Sequence, residues 1–260
     1  MNLHNSLAGL LVGFLVGMTG MGGASLMAPV LILLFHVKAK YAIGSDLAYA
    51  AVAKMFGAWQ QHRAETVNHR LVAWLAVGSI PSSLVGVWVL HKIDTTGVAA
   101  EKIIAHILGA MLVLVAALLL LRSIPKVEAW FQRRQPREEN FKPATAVISG
   151  IVGGFLVGLT SIGAGSLFGV ALILLFGQKA KKMVGTDIFH GCILSAVAAG
   201  GHMFAGDVDY PLVGSLLIGA IPGVLLGGVV SSRMPEHALR PTLGTVLLLT
   251  GVRILAPAVA

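Results

Sequence analysis

A single lysine interrupts the apolar run Tyr49-Ala50-Ala51-Val52-Ala53-Lys54-Met55-Phe56. An ammonium at such depth in an apolar segment is costly and marks a functional position by default. As a compact point charge it suits a small bound anion. The plainer reading is a lysine that snorkels to the nearer interface or pairs structurally. Asp46 lies eight residues earlier, on the same helical face. Asp187 and His190, three residues apart, share a face of another apolar run. A carboxylate near a histidine or lysine inside a membrane can relay protons. The plainer reading of both aspartates, in Gly44-Ser45-Asp46-Leu47 and Gly185-Thr186-Asp187-Ile188, is capping or charge complementarity at the start of a helix. His202, near the end of its run, reads as an interfacial histidine.

Two clusters of small residues offer a second kind of chemistry. They are Thr19-Gly20-Met21-Gly22-Gly23-Ala24-Ser25 and Thr160-Ser161-Ile162-Gly163-Ala164-Gly165-Ser166. Glycine is a poor helix former and permits positive φ, so both predict breaks in otherwise helical runs. Non-helical backbone at membrane depth survives only beside protein or a water-filled cavity. The freed N–H groups at the start of the following half-helix, with its dipole, favour an anion. The predicted anion site is therefore Gly22, Gly23, Ser25, Lys54, Gly163, Gly165 and Ser166. Thr19, Asp46, Thr160, Asp187 and His190 are the candidates for coupling or for supporting that site. The competing reading of the clusters is close helix packing through small residues.

The elements that must carry these residues are membrane helices. Of 260 residues, 56% are hydrophobic and 12% are charged, about half the charge of a soluble domain. Six runs fit one bilayer crossing each: 42–59, 71–90, 103–121, 183–204, 212–230 and 239–255. Two more, 7–35 and 144–176, are longer, and each holds one of the breaks. The net charge of +8 lies in short loops between apolar runs, the placement expected beside a membrane and not on a nucleic-acid-binding face. Cys192 is the only cysteine, so no internal disulfide framework exists; it reads as a small core residue. The N-terminus lacks a basic stretch before Leu7 and is expected to be a retained first membrane segment.

An offset of 141 residues aligns 13–90 with 154–231 without a gap. Gly13-Phe14-Leu15-Val16-Gly17 recurs as Gly154-Phe155-Leu156-Val157-Gly158, and Leu31-Ile32-Leu33-Leu34-Phe35 as Leu172-Ile173-Leu174-Leu175-Phe176. Lys38-Ala39-Lys40, Gly44, Asp46 and Ile80-Pro81 also recur in register. Such self-similarity is the signature of internal duplication. The chain divides into a first membrane repeat, 1–122, a basic linker, 123–143, and a second repeat, 144–260. The basic residues of 122–142 place the linker in the cytoplasm. If each long run is a hairpin, Lys and Arg outside the spans divide thirteen inside and five outside; single crossings give nine and nine. The expected fold is all-α and integral to the membrane. Each repeat has three crossings plus a broken or re-entrant helix, and the odd number inverts one repeat relative to the other.

No H-E-x-x-H, P-loop, C-x-x-C or G-x-S-x-G motif is present, so neither an enzyme, a metal site, a cofactor nor ATP-driven pumping is expected. The break Thr19–Ser25 followed by Pro29, the Gly44–Leu47 and Gly185–Ile188 motifs, the break Thr160–Ser166, and Ile221-Pro222-Gly223 with Gly227 resemble the TauE/SafE family of sulfite and sulfonate exporters over nearly the whole chain. In that family's pattern Val170 stands where the first repeat has Pro29. The resemblance implies an inner-membrane carrier of sulfite, sulfonates or related organosulfur anions, driven by a proton or sodium gradient. The residues themselves predict a secondary transporter of small anions working by alternating access around a midplane site. A passive anion channel and a subunit of a membrane complex are the alternatives.

Overall fold

The computed structural model describes residues 7, 9–11, 13–14, 27–94, 98–133, 142–162, 168, 172, 175–176, 180–231 and 236–256. Among these, the long apolar runs are helices and no strand occurs. The helices are α1 (Met27–Phe35), α2 (Ala39–Arg63), α3 (His69–Asp94), α4 (Val98–Arg122), α5 (Pro125–Arg133), α6 (Pro143–Thr160), α7 (Ala180–Ala205), α8 (Tyr210–Ser231) and α9 (Glu236–Leu255). Four, within α3, α4, α6 and α7, are long and apolar enough to cross a membrane. α2 is equally long, but Lys40, Asp46, Lys54 and its polar end Gln60-Gln61-His62-Arg63 lower its apolar character.

The 141-residue offset relates α2 to α7 and α3 to α8. It also relates their contacts. A Cβ on Gly150 of α6 would strike the carbonyl of Leu75 in α3, and one on Gly154 that of Ser79. In the other half, Gly9 meets the carbonyl of Leu216 and Gly13 that of Ala220. Gly9 and Gly13 of the first repeat thus pack on α8, as Gly150 and Gly154 of α6 pack on α3. Without a hydrophobic drive inside lipid, such close backbone approach is what holds helices together. The tail of the second repeat is shorter, so there the offset becomes 135: Gly109 meets Leu255, and Gly244 meets Leu120.

At the centre, α2 packs on α7. Gly57 meets Ile188, the Cys192 thiol lies 3.9 Å from the Ala51 carbonyl, and Gly44 meets His202. Residue numbers rise on one helix as they fall on the other, so the two run in opposite directions. Ala51 and Cys192 are counterparts under the offset, so these two positions meet each other across the pair. The ends of the pair are clamped alike. The Asn68 N–H donates to Thr186 Oγ1 at 3.0 Å, and the Asp209 N–H donates to Ser45 Oγ at 3.1 Å. Asn68 and Asp209 then accept from the N–H groups of Leu71 and Leu212, capping α3 and α8.

The basic linker begins with α5, tied back through Arg122, whose guanidinium meets Glu128 at 3.2 Å. Exposed Trp59 and Trp88 carry Arg63 and Lys92 over their rings, the aromatic and basic pairing of membrane interfaces.

Candidate functional site

The site grows from the middle of the α2–α7 pair. α2 begins at Ala39 and α7 at Ala180, so Asp46 and Asp187 stand two turns inside their helices, and neither first turn holds an acidic residue. The expectation that they cap their own helices is therefore corrected: both are buried, as are Lys54 and His190. The sequence places each helix start too late because Lys38, Lys40, Lys181 and Lys182 mask its first turns.

Antiparallel packing brings Lys54 of one repeat beside Asp187 and His190 of the other. The Lys54 ammonium acts electrostatically on Asp187, Asp46, Cys192 and His190. It is 5% exposed and, among the described residues, has no hydrogen-bond partner. His190 Nε2 lies 2.9 Å from Ser79 Oγ of α3, and its ring meets Phe168 edge-on, with centroids 4.7 Å apart.

Among the described residues, seven buried side-chain nitrogens and oxygens lack a protein partner. Six of these fall into three counterpart pairs: Asp46 Oδ1 with Asp187 Oδ1, Tyr49 Oη with His190 Nδ1, and Lys54 Nζ with Ser195 Oγ. The unmatched groups thus form two sets related by the duplication, Lys54/Asp187/His190 and Ser195/Asp46/Tyr49. A buried polar atom without a partner costs about 1–3 kcal/mol, so six in one region call for a functional explanation. The sets differ in chemistry. One holds an ammonium, a carboxyl and an imidazole; the other replaces the ammonium with a hydroxyl and the imidazole with a phenol.

The second break is present. α6 ends at Thr160, and Ser161 takes a left-handed conformation with φ 60°. The Thr160 hydroxyl donates to the Leu156 carbonyl at 2.7 Å and accepts from the Ile162 N–H at 3.2 Å. Ser161 donates its hydroxyl to Asp46 Oδ2 at 2.6 Å. The backbone of Ala28, in the first turn of α1, also interacts with the Asp46 carboxyl. The start of α1 was expected to attract an anion; it meets the protein's own carboxyl, which also engages the second break. Thr19, Gly22, Gly23, Ser25, Gly163, Gly165 and Ser166 lie outside the described residues.

Ser161, Ser79 and Tyr49 belong to the site but were not singled out from sequence. Tyr49 could have been found as the counterpart of His190; Ser79 and Ser161 depend on contacts between repeats. His202 corrects the interfacial expectation. It is buried, with Nδ1 3.3 Å from Asp207 Oδ2 and Nε2 3.0 Å from the Gly158 carbonyl.

Residues 6–254 match the profile of the family described as Sulfite exporter TauE/SafE. The chain is 41% identical to YjnA of Bacillus subtilis, named a probable membrane transporter protein, over 98% of this chain and 100% of that one. It is 26% identical to YdhB of the same organism, over 94% and 96%. It is 23% identical to MJ0441 of Methanocaldococcus jannaschii, over 96% and 93%. Both carry the same description. No solved structure matches the chain significantly.

Proposed function

Since the chain belongs to the Sulfite exporter TauE/SafE family, whose relatives are named as membrane transporters, we propose that it is a secondary transporter of small oxyanions such as sulfite or a sulfonate, coupled to protons. The observation that carries the reading is the set of six buried, unpartnered polar atoms at the centre of the α2–α7 pair. Lys54 is the anion-binding charge. It lies within electrostatic reach of Asp187 but is not hydrogen-bonded to it, so an incoming anion can take the ammonium without first breaking a contact. An anion seated there cancels the lysine charge. Neutrality of the buried site is then kept by a proton taken up on the Asp187 carboxyl, because an uncompensated buried charge is costly. Anion and proton therefore travel together. His190, held by Ser79, faces Asp187 from the same helix face and supplies a path for that proton.

The opposite directions of α2 and α7, counterparts under the duplication, support an inverted pair of repeats. An even number of crossings per repeat would leave these counterparts parallel. The same geometry thus supports re-entrant hairpins for 7–35 and 144–176, and the basic residues of the linker support its cytoplasmic side. Rocking of one repeat against the other would expose the central site to each side in turn.

The test is reconstitution into proteoliposomes loaded at one pH and diluted into another, with labelled sulfite and alkylsulfonates. Proton-driven accumulation above the equilibrium level is expected, and Lys54→Ala should abolish it. Flux that only runs downhill, whatever the pH gradient, would replace the carrier with a channel.

A further inference from the structure

The two ends of the α2–α7 pair share one backbone design. Where α7 finishes, Gly206 adopts φ +77° and the Asp207 N–H returns to the His202 carbonyl at 2.9 Å. Where α2 finishes, Glu65 adopts φ 53° and the Thr66 N–H returns to the Gln61 carbonyl at 3.2 Å. These residues are counterparts under the 141-residue offset. Gly44 abuts Asp207 at one end as Gly185 abuts Thr66 at the other. Because α2 and α7 are antiparallel, the two turns lie at opposite ends of the pair.

The side chains break this equivalence in one respect. The Thr66 hydroxyl donates to Gln61 Oε1 at 2.6 Å, a pair with nothing to titrate. Its counterpart is the buried His202–Asp207 pair. The Gly158 carbonyl of α6 can only accept, so His202 Nε2 carries a hydrogen. Nδ1 faces Asp207 Oδ2, so a second proton must lie between ring and carboxyl, whichever of the two owns it. Among the described residues, the other charged group meeting this pair is Lys40 of α2, 3.9 Å from Asp207 Oδ1 and 20% exposed. From α3, Leu84 and Val87 approach the neighbouring Gly201 and bring no charge.

We infer that His202 and Asp207 form a proton-binding latch closing one end of the transporter, and that the equivalent contact at the opposite end, Gln61 with Thr66, holds no such proton; the His62–His69 pair there, 3.2 Å apart, is exposed and lies outside that contact. With its shared proton the ring joins α6, α7 and the 206–209 turn. Loss of that proton sets a nitrogen lone pair against the Asp207 carboxylate, and the turn parts from α6. Rising pH therefore opens this end.

The experiment reads accessibility and needs no substrate, so it stands apart from the transport assay. In a Cys192→Ala background, which installs the residue of its counterpart Ala51, single cysteines replace Val208, buried in the proposed latch, and its counterpart Val67. Labelling of the detergent-purified protein by a charged methanethiosulfonate is followed from about pH 5.5 to about pH 8.5. The ratio of the two rates removes the intrinsic pH dependence of the thiol. An increase of about five-fold or more in the Val208→Cys rate relative to Val67→Cys is expected. The increase should vanish in His202→Gln/Asp207→Thr, which transplants the opposite latch, and in His202→Gln alone, which keeps a donor for Gly158. A ratio independent of pH, or an increase that survives both variants, would overturn the latch.

Discussion

Lys54→Met, Asp187→Asn and the double variant separate a binding charge from a structural one. The ammonium acts on Asp187 but makes no hydrogen bond to it. The attraction therefore falls below the roughly 4 kcal/mol of a pair in contact at about 4 Å in an effective dielectric of about 20, and about 2–3 kcal/mol is a fair magnitude. Each single variant strands one buried charge and should lose about that much stability, lowering the melting temperature by about 4–12 °C in a chain of this size. The double variant strands neither, so thermal unfolding should recover most of the loss, giving a coupling energy of about 2–3 kcal/mol. Transport should not recover. Losing a desolvated charge opposite the anion costs at least about 2 kcal/mol, a fall of about 30-fold or more in kcat/KM. Sulfite uptake in proteoliposomes is the assay. A double variant that transports within about three-fold of the parent protein would make Lys54 a structural partner of Asp187 and refute its role as the anion's counter-charge.

Further outcomes follow from the same geometry. Ser161→Ala should destabilise by about 1–3 kcal/mol through loss of the donor to buried Asp46, and Ser161→Gly by about 1 kcal/mol less, because glycine accepts the left-handed backbone; thermal unfolding of the two variants checks the order. Glu65→Gly, which copies Gly206 at an exposed left-handed position, should stabilise by about 1 kcal/mol, a rise of about 2–4 °C in melting temperature. Gly154→Val would drive a side chain into the Ser79 carbonyl and separate α3 from α6, costing about 3 kcal/mol or more as an overpacked helix contact; size-exclusion profiles of the purified protein should show its loss of monodispersity.

Much of the fold is legible in the sequence because lipid imposes a simple rule on length and polarity. The runs 71–90 and 103–121 lie inside α3 and α4, and the break after Thr160 ends α6. The duplication could be read because glycines and prolines that allow close packing recur in register, as Gly13 with Gly154 and Pro81 with Pro222. Lys54, Asp187 and His190 were legible one at a time, each as a costly group in an apolar run. Their meeting was not, since it depends on antiparallel packing between repeats, which sequence spacing does not report. Ser79 is an ordinary helix serine until α7 brings His190 against it. His202 is misjudged because position near a run's end does not reveal that α6 and the 206–209 turn close over it.

The duplication also separates what builds the protein from what makes it work. Positions that kept equivalent chemistry across the two repeats are structural: Gly13 and Gly154 let helices touch, Ser45 and Thr186 accept the clamping amides, and Asn68 and Asp209 cap the next helix. Positions that diverged carry a lysine, histidine or aspartate on one side only: Lys54 against Ser195, His190 against Tyr49, His202 against Gln61, Asp207 against Thr66. Two equal lysines would hold two mutually repelling anions, or one anion with a stranded ammonium, and either is costly away from water. On the proposed reading a single ammonium gives one anion site where the duplication would otherwise give two. Asp46 and Asp187 are the exception, retained in both repeats, but their surroundings have diverged instead. Ser161 donates to Asp46, whereas the corresponding residue of the first repeat is Gly20, which carries no hydroxyl. Gly20→Ser, which gives both repeats the hydroxyl, should therefore depress the proposed proton-coupled uptake while leaving the melting temperature unchanged or higher.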